Sequence, residues 1–353
     1  MLAAVLILPC KVNAISAKSA VLLDAHTGRV LYAKDHHKKS LIASTTKIMT
    51  ALVICEQCNV LDRVQIPKEA VGIEGSSMYL REGEILTVQE LLYGMMLHSG
   101  NDAAVALAIY CGGTVEAFAE LMNDKAYRLG LENTHFVNPN GLDHPEHYST
   151  AYDLAVLSAY AMNNPIFART VSAKSLTVGS RSLRNHNKLL WQFDGAEGIK
   201  TGYTKAAGRI LVSSASRSGR RLIAVTIHAP NDWQDHKTLL ETGFAKYSMT
   251  TLVAQGQCLG SVEIAGGSEG CCDLIAAEDF SYPIAADESW QVVLPPQAFV
   301  YAPVIEGQVA GRAYVCMDGQ PMGAITLLYG RTVEQVRPDR PNRSRRLFLG
   351  GSS

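Results

Sequence analysis

At 353 residues with a formal net charge of −1, the chain is long enough for two cores and nearly neutral overall, because single cores stop growing at roughly 250–300 residues. That balance excludes an electrostatic nucleic-acid binder, which would present a basic face. Aromatic side chains make up 7% and there are 29 glycines, a composition that fits a mixed α/β enzyme.

Residues 1–14 read as an export signal. Leu2 to Pro9 is an apolar run, too short for a bilayer span of about 20 residues. Val12-Asn13-Ala14 then supplies a small-residue cleavage site. No Lys or Arg precedes the run, and the competing reading is a buried first strand. Cys10 follows Pro9, whereas lipid attachment calls for a small residue there. Eight cysteines become seven once Cys10 leaves, an odd number that cannot pair completely within the chain. Cys55 and Cys58 have CxxC spacing, but no second pair completes a zinc set. The cysteines are therefore expected as small buried hydrophobes, and no metal is expected.

Ala20–Asp24 and Arg29–Ala33 flank Thr27-Gly28, a hairpin pattern. Residues 45–55 are apolar on every side, which describes a buried central helix. Thr87 and Glu90 have capping-box spacing ahead of a helix ending near Leu97. Ser99-Gly100 breaks that helix, and Asp102–Tyr110 starts another. Helices are also expected over 115–129 and 151–162, with a loop over 134–150. Short strands follow at Leu176–Val178, Arg184–His186 and Ile199–Thr201. Arg209–Ser216 and Leu222–His228 form a hairpin around Gly219, and Lys237–Tyr247 reads as a closing helix. Strands, helices, then strands imply an antiparallel sheet built from both ends of this domain around a helical insertion. Beyond 250 the pattern becomes short strands between Gly and Pro turns, at Ser261–Ile264, Gln291–Leu294, Ala298–Val304, Arg312–Val315 and Ala324–Tyr329. That is a small all-β domain. The expected division is a signal over 1–14, an α/β domain over 17–249, a β domain over 250–330 and a basic tail over 331–353.

Three short motifs carry chemistry: Ser44-Thr45-Thr46-Lys47, Ser99-Gly100-Asn101 and Lys200-Thr201-Gly202. Each alone is common. Ser44 could simply cap a helix, Lys47 could snorkel, Ser99-Gly100-Asn101 could be a helix break, and Lys200-Thr201-Gly202 a strand end. Together, and in this order, they match the S-x-x-K, S-x-N and K-T-G set of serine acyl-transferases that includes penicillin-binding proteins and class A β-lactamases. Ser44 and Lys47, three apart, share one helix face. A serine hydroxyl needs a neighbour to take its proton, and a buried Lys beside a second cation, Lys200, can do so.

The chain resembles the low-molecular-mass penicillin-binding proteins, the serine D-Ala-D-Ala carboxypeptidases, including the sporulation-associated type, over roughly residues 17–330. Gly75-Ser76-Ser77-Met78, Asn138-Pro139-Asn140-Gly141-Leu142, His147-Tyr148-Ser149-Thr150-Ala151 and Asn185-His186-Asn187 extend the resemblance. It implies a β-lactamase-like transpeptidase fold followed by a β-sandwich, and hydrolysis of the terminal D-Ala of the peptidoglycan pentapeptide stem without a cofactor. Carried over, Ser44 is the nucleophile, Lys47 the base and Ser99 the proton donor to the leaving D-Ala. Asn101 holds the substrate amide, Lys200 and Thr201 the carboxylate, and the N–H groups of Ser44 and Tyr203, beside Gly202, form an oxyanion hole. β-Lactams should acylate Ser44. The resemblance places the enzyme outside the cytoplasm in the cell envelope. Arg345-Arg346-Leu347-Phe348-Leu349 has only the beginning of an anchor for contact with the outer face of the cytoplasmic membrane. One departure stands out: Asn231-Asp232-Trp233 has no Arg where many relatives carry one for the carboxylate. The alternatives are a β-lactamase, for which Glu146 would be the nearest water-activating carboxylate, and a non-catalytic wall-binding or signalling module.

Overall fold

The computed structural model describes residues 15–296 and 298–336. The expected signal over 1–14 and the Arg343–Leu349 run lie outside them. The chain divides into two compact units that meet at Tyr247 and Ser248.

The first unit opens with β1 (Ser19–Asp24) and β2 (Val30–Lys34), the expected hairpin. A 3₁₀ turn over Ala43–Thr46 leads into α1 (Lys47–Gln57). A two-stranded ribbon of β3 (Arg63–Gln65) and β4 (Ile85–Thr87) precedes α2 (Val88–Leu97), where Thr87 and Glu90 form the anticipated reciprocal capping box. α3 (Asn101–Gly112), α4 (Val115–Arg128) and α5 (Ala151–Ala161) follow the apolar periodicity. α6 (Pro165–Ser172) was not anticipated, although Asn164 caps it and Pro165 starts it; eight residues give too little periodicity to stand out. β5 (Ser175–Val178) and β6 (Arg181–Arg184) pair, so the strand expected at Arg184–His186 lies earlier in the chain. α7 (Leu189–Gln192) precedes β7 (Ala196–Thr204), β8 (Gly208–Arg217) and β9 (Arg220–Ile227). α8 (Asp232–Lys246) closes the unit, starting five residues before the expected Lys237.

The main sheet is antiparallel, in the order β2-β1-β9-β8-β7, with both ends of the unit contributing strands. Successive strand side chains point to opposite faces. Val21 and Leu23 pack into the large core with α1 to α6, while Ala20 and Leu22 pack against Leu239 and Leu240 of α8. A sheet covered on both faces explains why β1 is buried at every position and reads as a continuous apolar run. β7 is an edge strand, so one side of its backbone is open within the sheet.

The second unit is all β, as expected. β10 (Tyr247–Val253) pairs with β13 (Phe280–Ala285), and a six-stranded sheet runs β14-β16-β17-β12-β11-β15. Its members are β11 (Cys258–Ala265), β12 (Cys271–Ala276), β14 (Gln291–Val293), β15 (Val300–Tyr301), β16 (Val309–Met317) and β17 (Gln320–Tyr329). β10, β12 and β13 were not anticipated, because charged, polar and turn-forming residues interrupt their alternation. The unit also extends past Gly330: Val333 is buried and bridges Val304, and Gln335 bridges Gly267. All seven cysteines of the described residues are free; Cys55, Cys272 and Cys316 are buried as expected, whereas Cys258 and Cys271 are exposed.

Candidate active site

Ser44 sits in the 3₁₀ turn, one residue outside the helix the sequence predicted, and Lys47 is the first residue of α1. Residues three apart eclipse in 3₁₀ geometry, so the shared face survives the change of helix type. Lys47 Nζ lies 3.0 Å from Ser44 Oγ. Ser44 lies inside the turn and holds neither cap position, which belong to Ile42 for the turn and Thr46 for α1, so the N-cap reading of that residue does not hold. Nor does Lys47 snorkel: its side chain is 0% exposed.

The other partners of Lys47 come from the start of α3 and from the 134–150 loop. Nζ lies 2.6 Å from Asn101 Oδ1 and 2.6 Å from the Asn140 carbonyl oxygen. Asn101 begins α3, and its amide nitrogen donates to the Glu74 carbonyl. The Gly75 backbone crosses so close that a Cβ there would meet Asn101 Nδ2 at 2.7 Å. Buried Asp102 holds the same loop by accepting from Ser77 Oγ at 2.6 Å and from the Met78 and Leu80 amides. Asn140 belongs to Asn138–Leu142, a loop folded by its own side chains: Asn138 Oδ1 accepts from Gly141 N at 2.7 Å. Asn140 entered the sequence reading only within the resembling segment Asn138–Leu142, with no role assigned, and Asp102 was not singled out. A backbone carbonyl leaves no residue-type signal, and Asp102 resembles any acidic residue in a first helical turn.

Ser99 is held at φ 64°, a left-handed conformation that costs a non-glycine residue of order 1–3 kcal/mol. It thereby presents Oγ to Lys200 Nζ at 3.0 Å; Lys200 also donates to the Thr201 carbonyl at 2.9 Å. Burial pushes the Lys200 ammonium down to about 7. Lys47 is driven well below the ordinary lysine range, first by burial and then by the Lys200 charge, with Asp102 opposing. Two buried lysines are thus held in one site, and at most one carries a charge comfortably.

The third motif lies on β7. Arg209 pairs with Tyr203 across β8, and the Arg209 carbonyl accepts from the Ala229 amide on its other side. A residue's N–H and C=O point to the same side of a strand, so the Tyr203–Arg209 pair is a non-hydrogen-bonded one. The Tyr203 N–H therefore points to the open edge of β7. Thr201, two residues away, shares that orientation, as its bond from Lys200 requires. Gly202 lies against the 3₁₀ turn: a Cβ there would sit 3.2 Å from the Ile42 carbonyl and 3.3 Å from Thr45 N.

A cavity of about 300 Å³ collects Ser44, Ser99, Thr201, Gly202 and Tyr203, together with Arg209 and Asp232. Lys47, Asn101 and Lys200 stand behind it through the bonds above. Arg209 had no assigned role in the sequence. Its guanidinium grips Asp232 through two nitrogens, Nη2 at 2.8 and 2.9 Å from the two carboxylate oxygens and Nε at 3.1 Å from Oδ2, and the side chain remains 46% exposed at the cavity wall. Only the register of β8 against β7 reveals it. Asp232 is the single carboxylate among the described residues lining this cavity, and it is bound to Arg209. Glu146, the nearest candidate in the sequence for activating water, is exposed and does not line the cavity.

His147 lies beneath the turn that carries Ser44. Its Nδ1 accepts from Val137 N at 3.1 Å, and Nε2 lies 2.7 Å from Thr46 Oγ1, which itself donates to Ala43 O. Burial first, then His135 and His144, lowers it to about 4. It is a neutral support for the turn.

Residues 8–231 match the family model for D-alanyl-D-alanine carboxypeptidase, and residues 247–335 match the penicillin-binding protein 5 C-terminal domain. The chain is 34% identical over 320 residues to D-alanyl-D-alanine carboxypeptidase DacF of Bacillus subtilis, covering 86% of this chain and 82% of the relative. It is 37% identical over 282 residues to DacD of Escherichia coli, covering 75% and 73%. Penicillin-binding protein 5 of Haemophilus influenzae superposes with a TM-score of 0.78 at 31% identity, covering 92% of this chain and 99% of that one.

Proposed function

This chain belongs to the D-alanyl-D-alanine carboxypeptidase family of penicillin-binding hydrolases acting on peptidoglycan, and we propose that it does so through an acyl-enzyme on Ser44 with Lys47 as base. The carrying observation is the geometry at Lys47, a fully buried side chain whose Nζ lies 3.0 Å from Ser44 Oγ. Three oxygens surround Nζ: two are carbonyl-type acceptors, on Asn101 and Asn140, and the third is the Ser44 hydroxyl. A neutral amine has two N–H groups for the carbonyls and one lone pair for the hydroxyl proton. Burial and Lys200 favour that neutral form.

Ser44 Oγ attacks the carbonyl of the penultimate D-Ala as Lys47 takes its proton. The Ser44 and Tyr203 N–H groups receive the developing oxyanion. Asn101 has one amide hydrogen left after its bond to Glu74, and that hydrogen meets the substrate amide. The terminal carboxylate rests on Thr201 and Lys200, and Arg209 supplies the fixed positive charge that Asn231-Asp232-Trp233 lacks. Ser99, in contact with Lys200, passes a proton to the leaving D-Ala. Water then cleaves the ester. Among the described residues the one carboxylate lining the cavity, Asp232, is bound to Arg209, so no free carboxylate speeds this last step and a β-lactam ester persists on Ser44.

The family acts on peptidoglycan in the cell envelope. Export through residues 1–14 and peripheral contact of the tail with the outer face of the cytoplasmic membrane belong to this proposal. The test is release of D-Ala from diacetyl-Lys-D-Ala-D-Ala, together with intact-mass detection of a penicillin adduct. Ser44→Ala abolishes both. A variant that keeps either activity refutes the assignment, and rapid adduct turnover favours a β-lactamase.

A further inference from the structure

Two cysteines distant in the chain meet at one end of the helical core. Cys58 directly follows α1, and its N–H still donates to the Ile54 carbonyl. Cys111 lies in the last turn of α3, which packs against α1. Both are half-buried on the same core. Contacts on either side of Cys58 hold the approach. Cys111 Sγ lies 3.9 Å from Gln57 Oε1, and the Tyr110 hydroxyl donates to Asp62 Oδ2 at 2.8 Å. The Cys58 thiol donates to the Cys111 sulfur.

This arrangement answers the CxxC spacing left over from the sequence. Cys55 is buried within α1, one turn before Cys58, and a bridge between those two would tie down nothing beyond the end of one helix. A bridge from Cys58 to Cys111 would close a loop containing β3, β4, α2 and most of α3, and closing a long loop constrains the unfolded chain most. It would also join the far ends of the two helices that begin at Lys47 and Asn101. Those residues make the 2.6 Å contact in the catalytic site. The α1–α3 pair thus carries a catalytic contact at its N-terminal ends and two thiols at its C-terminal ends.

We propose that Cys58 and Cys111 are a disulfide-forming site, oxidised by exchange with an external disulfide, which locks α1 to α3 behind the catalytic residues. Both cysteines are free in this structure, which is the reduced form. The hydrogen bond from Cys58 lowers the Cys111 thiol below its ordinary value against the effect of burial, and the same bond raises Cys58. Cys111 therefore attacks first. Its thiolate bonds to one sulfur of the external disulfide, and the other sulfur leaves as a thiolate. Cys58 then gives up its proton and attacks Cys111 Sγ, and the bond from Cys111 to the first external sulfur breaks. The two cysteines lose two electrons and two protons, and the external disulfide becomes two thiols. Disulfides persist outside the cytoplasm, so the supply of oxidant rests on the export proposed above, whereas the reaction itself does not.

The experiment incubates the reduced, purified chain with oxidised glutathione and maps its linked peptides without reduction. A Cys258→Ser, Cys271→Ser background removes the exposed thiols of the second unit. The expected product joins the peptides of Cys58 and Cys111, lighter by two hydrogens and free of glutathione. It is absent from Cys58→Ser and from Cys111→Ser and is retained in Cys55→Ala. Cys58→Ser accumulates a glutathione adduct on Cys111. The oxidised chain melts about 5 °C or more above the reduced one, the shift expected of a bridge closing a long loop, and dithiothreitol reverses it. That comparison uses one chain in two states, so no variant's folding enters it. A glutathione adduct that stays on Cys111 with Cys58 present, a link made through Cys55, or equal melting temperatures for the two states overturns the proposal.

Discussion

A Cβ on Gly141 would lie 1.9 Å from the Ala43 carbonyl oxygen. The loop that supplies the Asn140 carbonyl to Lys47 is therefore pressed directly onto the turn that carries Ser44. Gly141 also has φ +87°, a conformation that penalises any L side chain. Gly141→Ala is expected to push the loop off the turn and withdraw an acceptor from Lys47. The acylation rate with penicillin should fall by tenfold or more, with the melting temperature lowered. Unchanged acylation would show that the Asn140 carbonyl is dispensable.

Arg209→Ala is expected to raise KM for the D-Ala-D-Ala substrate by about tenfold, the lower end for a charge-assisted bond because the side chain is 46% exposed and solvent screens it. Arg209→Lys should recover only part of this, since an ammonium cannot grip Asp232 with two arms. Steady-state kinetics on the tripeptide, with melting curves to monitor buried Asp232, make the check. A change confined to stability would remove Arg209 from substrate binding.

The two lysines set opposite limbs of the pH profile. As the proposed base, Lys47 must be neutral, so kcat/KM is expected to rise with pH as Lys47 loses its proton, well below the ordinary lysine range. Activity also needs Lys200 positive, so kcat/KM falls as pH rises through about 7. Acylation rates between pH 5 and 9 should trace this bell. Lys200→Arg, which stays charged throughout, should lose the alkaline limb at whatever reduced rate it retains.

His236 is fully buried between Ser213 Oγ, 2.6 Å from Nδ1, and Thr226 Oγ1, 2.9 Å from Nε2. Burial lowers it from 6.5 to about 3. Between those values the unfolded chain binds a proton that the folded chain refuses, so stability falls as pH drops below 6.5 and levels off near 3. The loss from this one group is about 2 kcal/mol between pH 6.5 and 5. Urea unfolding of the wild type and His236→Gln at the two pH values measures it. Parallel losses would show that His236 does not titrate this way.

Local signals in the sequence settled the elements that recur along the chain. The capping box at Thr87 and Glu90 placed α2, and all-round apolarity marked α1 as central, because both depend on residues within a few turns of one another. The three motifs were legible for the same reason: Ser44 and Lys47 are three residues apart, and Lys200 to Gly202 are consecutive. The charge states of Lys47 and Lys200 were legible only as a requirement, since burial comes from the whole core. Arg209, Asp102, the contact of the Asn140 carbonyl with Lys47 and the approach of Cys58 to Cys111 came from tertiary structure alone. Their roles follow from strand register, from a backbone carbonyl and from loops brought together across the fold. A chain's local pattern encodes which groups it carries and their spacing along one element, whereas reach between elements is fixed only when strands pair and helices pack.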